Sequence, residues 1–107
     1  MEKSAIRHMV IFNLKHDKGS SEEKRFLTDG QEQLTSIPVV QNFQVFRQVS
    51  VKNGYDYGFS MDFASQAEYD AYNEHPVHMA FVEQRWKKEV IRFLEIDFQT
   101  GLDNQRQ

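Results

Sequence analysis

The sequence predicts an α+β domain in which helices cover one face of a four-stranded antiparallel sheet. Three observations support this: runs of alternating apolar residues, helical repeats that follow capping signals, and the order of these segments along the chain. That order, β-α-β-β-α-β, is typical of the ferredoxin-like split βαβ arrangement. With 107 residues the chain is expected to form one domain, 1–107, whose polar end, 101–107, frays.

The first strand is predicted from Ile6 to Leu14. Its alternation places His8 in one apolar row, with Val10 and Phe12, and places Met9 and Ile11 on the opposite face. Because both faces carry apolar residues, we expect both to be covered.

The first helix is predicted to follow Ser20, which stands three residues before Glu23 in the spacing of a capping box. An apolar stripe runs along this helix until Pro38 stops it, and consists of Phe26, Leu27, Gly30, Leu34 and Ile37. Glycine within a helix costs about 1 kcal/mol relative to alanine. Gly30 is therefore expected to leave room for a neighbouring side chain.

Two strands are predicted next, a long one over Val39 to Val51 and a partner over Tyr55 to Phe63. Asn53-Gly54 between them is typical of a two-residue hairpin turn, since both residues tolerate positive φ. Arg47 interrupts the apolar row of the first of these strands.

A second helical region is predicted after Ser65 and Glu68, which form another capping box. Tyr69 and Tyr72 share one face of this short helix. Pro76 then breaks the helix, so that His75 closes one helix and His78 opens the next. The next helix is expected to bury a stripe of Met79, Val82, Trp86 and Val90. The last strand, Ile91 to Phe98, sets an apolar row against Arg92, Glu95 and Asp97.

Composition limits the classes of partner. The net charge is −3, the chain has no basic block, and it contains no cysteine. We therefore expect no nucleic-acid or membrane partner and no disulfide or thiolate site. The start of the chain has no apolar leader, which favours a cytoplasmic protein.

Two histidines and a tyrosine are the candidate catalytic residues. His78 near a helix start is expected to have a lowered pKa, so that a neutral imidazole can take a proton from an activated C–H group. His8 and Tyr72 are expected to orient the substrate and stabilise an enolate. The structural alternatives are a buried core histidine for His8, an N-terminal helix residue for His78, and packing beside Tyr69 for Tyr72. His75 is predicted to be a helix cap.

Four aromatic residues are predicted to line an apolar ligand cavity, or else to form an ordinary core: Phe26, Tyr55, Tyr57 and Trp86. His75 and His78 have a spacing that suits a metal only on a continuous helix, which Pro76 interrupts. We therefore predict no histidine-bound metal and no cofactor.

The helix-free face of the sheet is expected to be covered by a second copy of the chain. Met9 and Ile11 lie on that face, together with Leu94 and Ile96 if the last strand aligns accordingly. A homodimer with a barrel-like interior would cover this apolar surface.

Several segments together resemble the stress-responsive A/B barrel domain (Dabb) family of the dimeric α+β barrel superfamily. They are Ile6 to Val10, Gly54-Tyr55, and Tyr72 with His75-Pro76-Val77-His78-Met79-Ala80-Phe81. The resemblance extends to about Thr100. It implies ferredoxin-like protomers paired sheet to sheet.

The resemblance implies more than one function. Polyketide cyclases of the family perform an intramolecular aldol condensation without a cofactor, and their working residues correspond to His8, Tyr72 and His78. Their pockets carry bulky groups where this chain has Gly30, which suggests a wider pocket here. Other members are stress-induced oligomers, so a non-catalytic ligand-binding or protective homodimer is the alternative. A cofactor-free monooxygenase of the related barrel type is a third reading. Some relatives hold a magnesium-like ion on backbone carbonyls that correspond to Leu34, Ile37 and Val40.

Overall fold

The computed structural model describes residues 5–100, so the predicted frayed tail lies outside the described residues. The elements, in chain order, are β1 (Ile6–Leu14), α1 (Ser21–Thr35), β2 (Gln41–Arg47), β3 (Tyr57–Phe63), α2 (Gln66–Glu74), α3 (Pro76–Phe81), a π-helical segment (Val82–Trp86), α4 (Lys87–Glu89) and β4 (Val90–Gln99). The four strands form one sheet in the order β2-β3-β1-β4, and every neighbouring pair is antiparallel. The predicted fold class is confirmed.

Strand β1 lies in the interior of the sheet and provides much of the core. Its alternate residues His8, Val10, Phe12 and Leu14 are buried beneath the helices, as predicted. The Phe12 ring packs against Phe59 with ring centroids 4.9 Å apart. Aromatic packing of this kind adds to the stability that burial of apolar surface provides.

Helix α1 begins as its capping signal predicts, because the side chain of Ser20 accepts a hydrogen bond from the backbone N–H of Glu23. Gly30 permits close packing at the middle of the helix. A Cβ atom there would lie 2.8 Å from Cζ of Phe59 and 3.3 Å from Cζ of Phe81. The expected room is therefore filled by these two rings and does not widen a pocket.

Strand β2 is shorter than predicted, and no two-residue hairpin follows it. Residues 48–56 form an irregular loop in which Val49 and Val51 are 95% and 97% exposed. Neither Asn53 nor Gly54 has the positive φ that the predicted turn needs. The Asn53 side chain instead accepts hydrogen bonds from the Gln48 amide and the Tyr55 backbone N–H, which stabilises a wider loop.

Arg47, which interrupts the apolar row of β2, binds a buried carboxylate on α1. Its guanidinium donates to both oxygens of Glu23, at 2.5 and 2.9 Å. The Tyr57 hydroxyl donates to the same carboxylate at 2.8 Å. Glu23 is fully buried, and this charged group is tolerated because every partner is a donor aimed at it.

The helical region after α2 turns sharply at His75, as predicted from Pro76. His75 ends α2 and also begins α3, where its Nδ1 accepts a hydrogen bond from the backbone N–H of Val77. His78 lies in the first turn of α3.

The predicted stripe of the following helix is wrong at Met79, which is 55% exposed, while Phe81 is buried. The π-helical segment is the reason. The backbone N–H of Lys87 donates to the carbonyl of Val82, five residues back. This wider turn places Phe81 and Trp86 on one side, which a regular helical period does not predict.

Strand β4 pairs with β1 so that Asp97 lies opposite His8, Glu95 opposite Val10, and Phe93 opposite Phe12. These three residues of β4 therefore share the helix-covered face. The predicted grouping of Arg92 with Glu95 and Asp97 is wrong, because Arg92 lies opposite Asn13 on the other face.

The helix-free face of the sheet carries exposed apolar side chains. Phe46, Leu94 and Phe98 are each between 42% and 50% exposed, and they lie near Met9 and Ile11. Within residues 5–100, no helix is long and apolar enough to cross a membrane.

Candidate functional site

A pocket of about 240 Å³ opens between the helix-covered face of the sheet and the corner formed by α2 and α3. Its walls are mostly apolar or aromatic and comprise Val10, Leu34, Phe59, Met61, Phe81, Val82, Trp86 and Phe93. Five polar residues also contribute, namely His8, Tyr72, Asn73, His78 and Glu95. The structure thus brings the three predicted catalytic residues, His8, Tyr72 and His78, to one pocket.

His8 is buried and is held by two hydrogen-bonding partners on different elements. Its Nδ1 lies 2.6 Å from Oδ1 of Asp97 on β4 and 3.0 Å from the Tyr69 hydroxyl on α2. Tyr69 in turn donates to Oδ2 of Asp97 at 2.9 Å. The pKa of Tyr69 is raised, chiefly by burial and then by the hydrogen bond to Asp97, so this phenol stays protonated.

This network determines which nitrogen of His8 carries the proton. A carboxylate only accepts hydrogen bonds, so Nδ1 of His8 carries the proton that Asp97 receives. Nε2 of a neutral His8 therefore has a free lone pair. Asp97 also stabilises the imidazolium that forms when Nε2 takes up a proton. The arrangement leaves a basic nitrogen on a fixed side chain that lines an apolar pocket.

His78 and Tyr72 form a second polar pair in the pocket, with ring centroids 4.4 Å apart. Nδ1 of His78 lies 3.1 Å from the backbone carbonyl of Asn73, an acceptor, so this nitrogen carries the proton. Burial lowers the pKa of His78. His78 is therefore neutral near pH 7, and burial is the largest cause of the lowered pKa.

Tyr72 is buried beneath α2, and burial raises the pKa of its hydroxyl. Among the described residues, this hydroxyl makes no hydrogen bond in the structure. A protonated phenol that lines the pocket without an internal partner is suited to donate to an oxygen of a bound molecule.

Of the four predicted ligand-binding aromatic residues, only one, Trp86, lines the pocket. Phe26 is fully buried in the core, Tyr57 donates to Glu23, and the guanidinium of Arg92 stacks on Tyr55 with Cζ 4.3 Å from the ring centroid. Phe26, Tyr55 and Tyr57 are not among the lining residues, because the first belongs to α1 packing and the others lie near the loop 48–56.

No group of three or more His, Asp or Glu side chains within residues 5–100 is arranged to hold a metal ion. The carbonyls of Leu34 and Ile37, which the resemblance implicated in magnesium binding, accept hydrogen bonds from the backbone N–H groups of Ile37 and Val40. Each of these two carbonyls therefore has a hydrogen-bond partner within the chain.

The model of the family described as the stress responsive A/B barrel domain matches residues 6–100. The chain belongs to this family. The match covers all four strands and every residue of the pocket, so the predicted family is confirmed over the whole described fold.

Solved structures of the same fold include a Dabb family protein from Mesorhizobium loti. It is 53% identical, with a TM-score of 0.88 over 90% of this chain and 96% of that one. A dimeric protein of unknown function from Bacteroides fragilis is 17% identical, with a TM-score of 0.69 over 89% and 95% of the two chains. A hydroxynitrile lyase from Passiflora edulis is 14% identical, with a TM-score of 0.75 over 91% and 94%. No curated protein matched the sequence.

Sequence reasoning missed three members of the site: Tyr69 and Asp97, which hold His8, and Glu95, which lines the pocket. Alternation places Glu95 and Asp97 on one face of β4, but which face meets His8 depends on the pairing of two strands some ninety residues apart. Tyr69 was recognised only as a neighbour of Tyr72. The pairing of β1 with β4 identifies Glu95 and Asp97, whereas Tyr69 reaches His8 from α2.

Proposed function

We propose that this stress-responsive A/B barrel domain binds an apolar small molecule with a carbonyl group and catalyses proton transfer at the carbon beside it. The observation that carries the proposal is the Asp97–His8 contact of 2.6 Å at the wall of an apolar pocket. It supports a base whose free nitrogen meets the ligand.

The three polar side chains have different roles in this proposal. Nε2 of His8 removes a proton from the carbon next to the carbonyl, and the electron pair of the broken C–H bond forms an enolate. Tyr72 donates a hydrogen bond to the enolate oxygen, where charge develops. His78, neutral and with its free Nε2, accepts a hydrogen bond from a hydroxyl of the ligand. The sequence alone favoured His78 as the base. The carboxylate behind His8 makes His8 the better candidate.

Deuterium uptake by an apolar ketone tests the proposal. Phenylacetone in D₂O is followed by NMR with the wild type and with His8→Gln, His78→Gln and Tyr72→Phe. We expect His8→Gln to lower the catalysed rate by about 100-fold, within the usual range for a general base. His16→Gln is the matched control, because His16 lies outside the pocket and binds Glu89. A rate that His8→Gln leaves unchanged and His78→Gln abolishes would return the base to His78.

A ligand that binds without catalysis would support the alternative function, a binding or protective protein. The titration that separates the two uses the same ketone and the fluorescence of Trp86, the single tryptophan of the chain, which lines the pocket. Saturable binding with no deuterium uptake would contradict the catalytic proposal and leave the binding function.

We also propose that the chain forms a homodimer through the helix-free face of its sheet. The support is the apolar surface that includes Ile11, Phe46, Leu94 and Phe98, together with the description of the Bacteroides fragilis structure as dimeric. Sedimentation of wild type and Ile11→Glu tests it. We expect a dimer that the charge dissociates, and a folded wild-type monomer at micromolar concentration would contradict the proposal.

A further inference from the structure

The charge of the pocket carries information about its ligand. The only charged side chain among its lining residues is that of Glu95, and no lysine or arginine of residues 5–100 lines it. Burial lowers the pKa of His78, so this imidazole adds no positive charge near pH 7. The pocket therefore presents a negative wall to a ligand.

Glu95 is not used by the fold. Its side chain makes no hydrogen bond or ion pair with the described residues of the chain, and it is exposed at the pocket rim. Its charge nevertheless reaches the interior. Burial is the main cause of the raised pKa of Tyr72, and the charge of Glu95 adds to that rise. The same charge opposes the lowering of the pKa of His78 by burial.

Asp97 lies two residues from Glu95 on the same face of β4 and adds to the negative charge behind His8. A carboxylate ligand would meet Glu95, with Asp97 behind His8, and would find no cation among the lining residues to pair with. Burial of an unpaired charge beside like charges is unfavourable.

Much of the remaining lining is aromatic. The Trp86 and Phe93 rings meet edge to face at 5.6 Å between centroids, and Tyr72 and Phe81 also line the pocket. The π-faces of such rings attract cations, most strongly when a ring is tryptophan. A carboxylate set among aromatic rings is a suitable environment for an ammonium group.

We propose that the pocket takes an apolar ligand that bears an ammonium group and rejects carboxylates, and that Glu95 sets this preference. The charge selectivity depends on the proposed function only in using the same pocket. Together with proton transfer beside a carbonyl, it indicates an apolar amino ketone as the substrate class.

Three probes that share a phenylpropyl skeleton and differ in their polar group test the charge preference: 3-phenylpropylamine, 3-phenylpropan-1-ol and 3-phenylpropionate. Each is titrated at low salt, and binding is followed by the fluorescence of Trp86. We expect the amine to bind about fivefold more tightly than the alcohol, and the carboxylate about fivefold more weakly, as is typical of one partly exposed charge. Added salt should reduce both differences.

Two variants of Glu95 locate the effect. Glu95→Gln should make the amine and the alcohol bind equally, and Glu95→Lys should reverse the order so that the carboxylate binds best. Glu32→Gln is the matched control. It removes the same charge from the protein, and Glu32 is an exposed residue of α1 outside the pocket. It should leave the wild-type order intact.

The possible results separate this inference from the proposed function. A wild type that binds the carboxylate as tightly as the amine, or a preference for the amine that Glu95→Gln does not change, would overturn the inference while the ketone assay with His8→Gln still stands. Binding of none of the three probes would overturn the inference, and the proposed function would fall with it only if phenylacetone also failed to bind.

Discussion

Replacement of Glu23 by glutamine isolates the energetic value of the buried charge that joins α1 to the sheet. The Arg47 guanidinium, outweighing the effect of burial, lowers the pKa of Glu23 from 4.5 to about 2, with help from the Tyr57 hydroxyl. A difference of that size corresponds to roughly 3 kcal/mol, since each pKa unit is worth about 1.4 kcal/mol. The Arg47 side chain is 53% exposed, so water screens part of the attraction and we expect about 2 kcal/mol.

The pH dependence of this effect follows from the direction of the pKa change. Glu23 is more acidic in the folded protein than in the unfolded chain, so the unfolded state binds its proton first as the pH falls. The stabilisation is therefore complete above about pH 5 and is lost progressively as the pH falls from there toward 2. Glu23→Gln has no proton to gain, and its difference from wild type should shrink over that window.

Urea unfolding of both proteins at a series of pH values between 7 and 2.5 measures the effect. Glu83→Gln is the control, because the pair of Glu83 with Lys87 is exposed on both sides and is worth little. A difference between wild type and Glu23→Gln that stays constant from pH 7 to 2.5, or that is below about 0.5 kcal/mol at pH 7, would refute the reasoning.

Three further predictions concern packing, capping and titration. Gly30→Ala should destabilise the fold by about 1–2 kcal/mol in urea unfolding, because the added Cβ meets the Phe59 ring at 2.8 Å. The gain in helix propensity offsets only part of that clash. The control, Gln31→Ala on the exposed side of α1, should change stability by less than about 0.5 kcal/mol. His75→Ala should cost about 1 kcal/mol, since it removes the acceptor for the Val77 N–H, while His75→Asn, which retains an acceptor, should recover most of the loss. An NMR titration of His78 should give a pKa below 6.5. The free energy of unfolding should fall at lower pH, because the unfolded chain takes up a proton at this ring more readily than the folded protein does. A pKa at or above 6.5 would contradict the burial argument.

Local signals predicted most of the fold. The caps at Ser20 and Ser65, the break at Pro76 and the alternation of β1 each depend on interactions within a few residues, and the structure confirms them. The errors occur where longer-range contacts decide. The loop 48–56 replaces a hairpin turn because Asn13 of β1, distant in sequence, bonds to the loop backbone at Gly54 and Asp56. The π-helical turn changes which of Met79 and Phe81 is buried.

The candidate site was predictable only in part for the same reason. His8, Tyr72 and His78 were visible as unusual polar residues beside apolar runs, and the structure brings them to one pocket. Their supporting partners were not visible, because Asp97 reaches His8 only through the pairing of β1 with β4. Composition could not separate the aromatic residues of the core from those of the pocket, so Phe26 and Trp86 looked alike although only Trp86 lines the pocket.

The protonated nitrogen of His8 tests the central claim most directly. Long-range ¹H–¹⁵N NMR of the neutral ring distinguishes its two tautomers, and Asp97→Asn weakens the contact that selects between them. We predict that wild type carries its proton on Nδ1, leaving Nε2 free toward the pocket, and that Asp97→Asn loses this preference together with deuterium uptake by phenylacetone. A wild-type His8 protonated on Nε2, or a tautomer that Asp97→Asn leaves unchanged, would contradict the account.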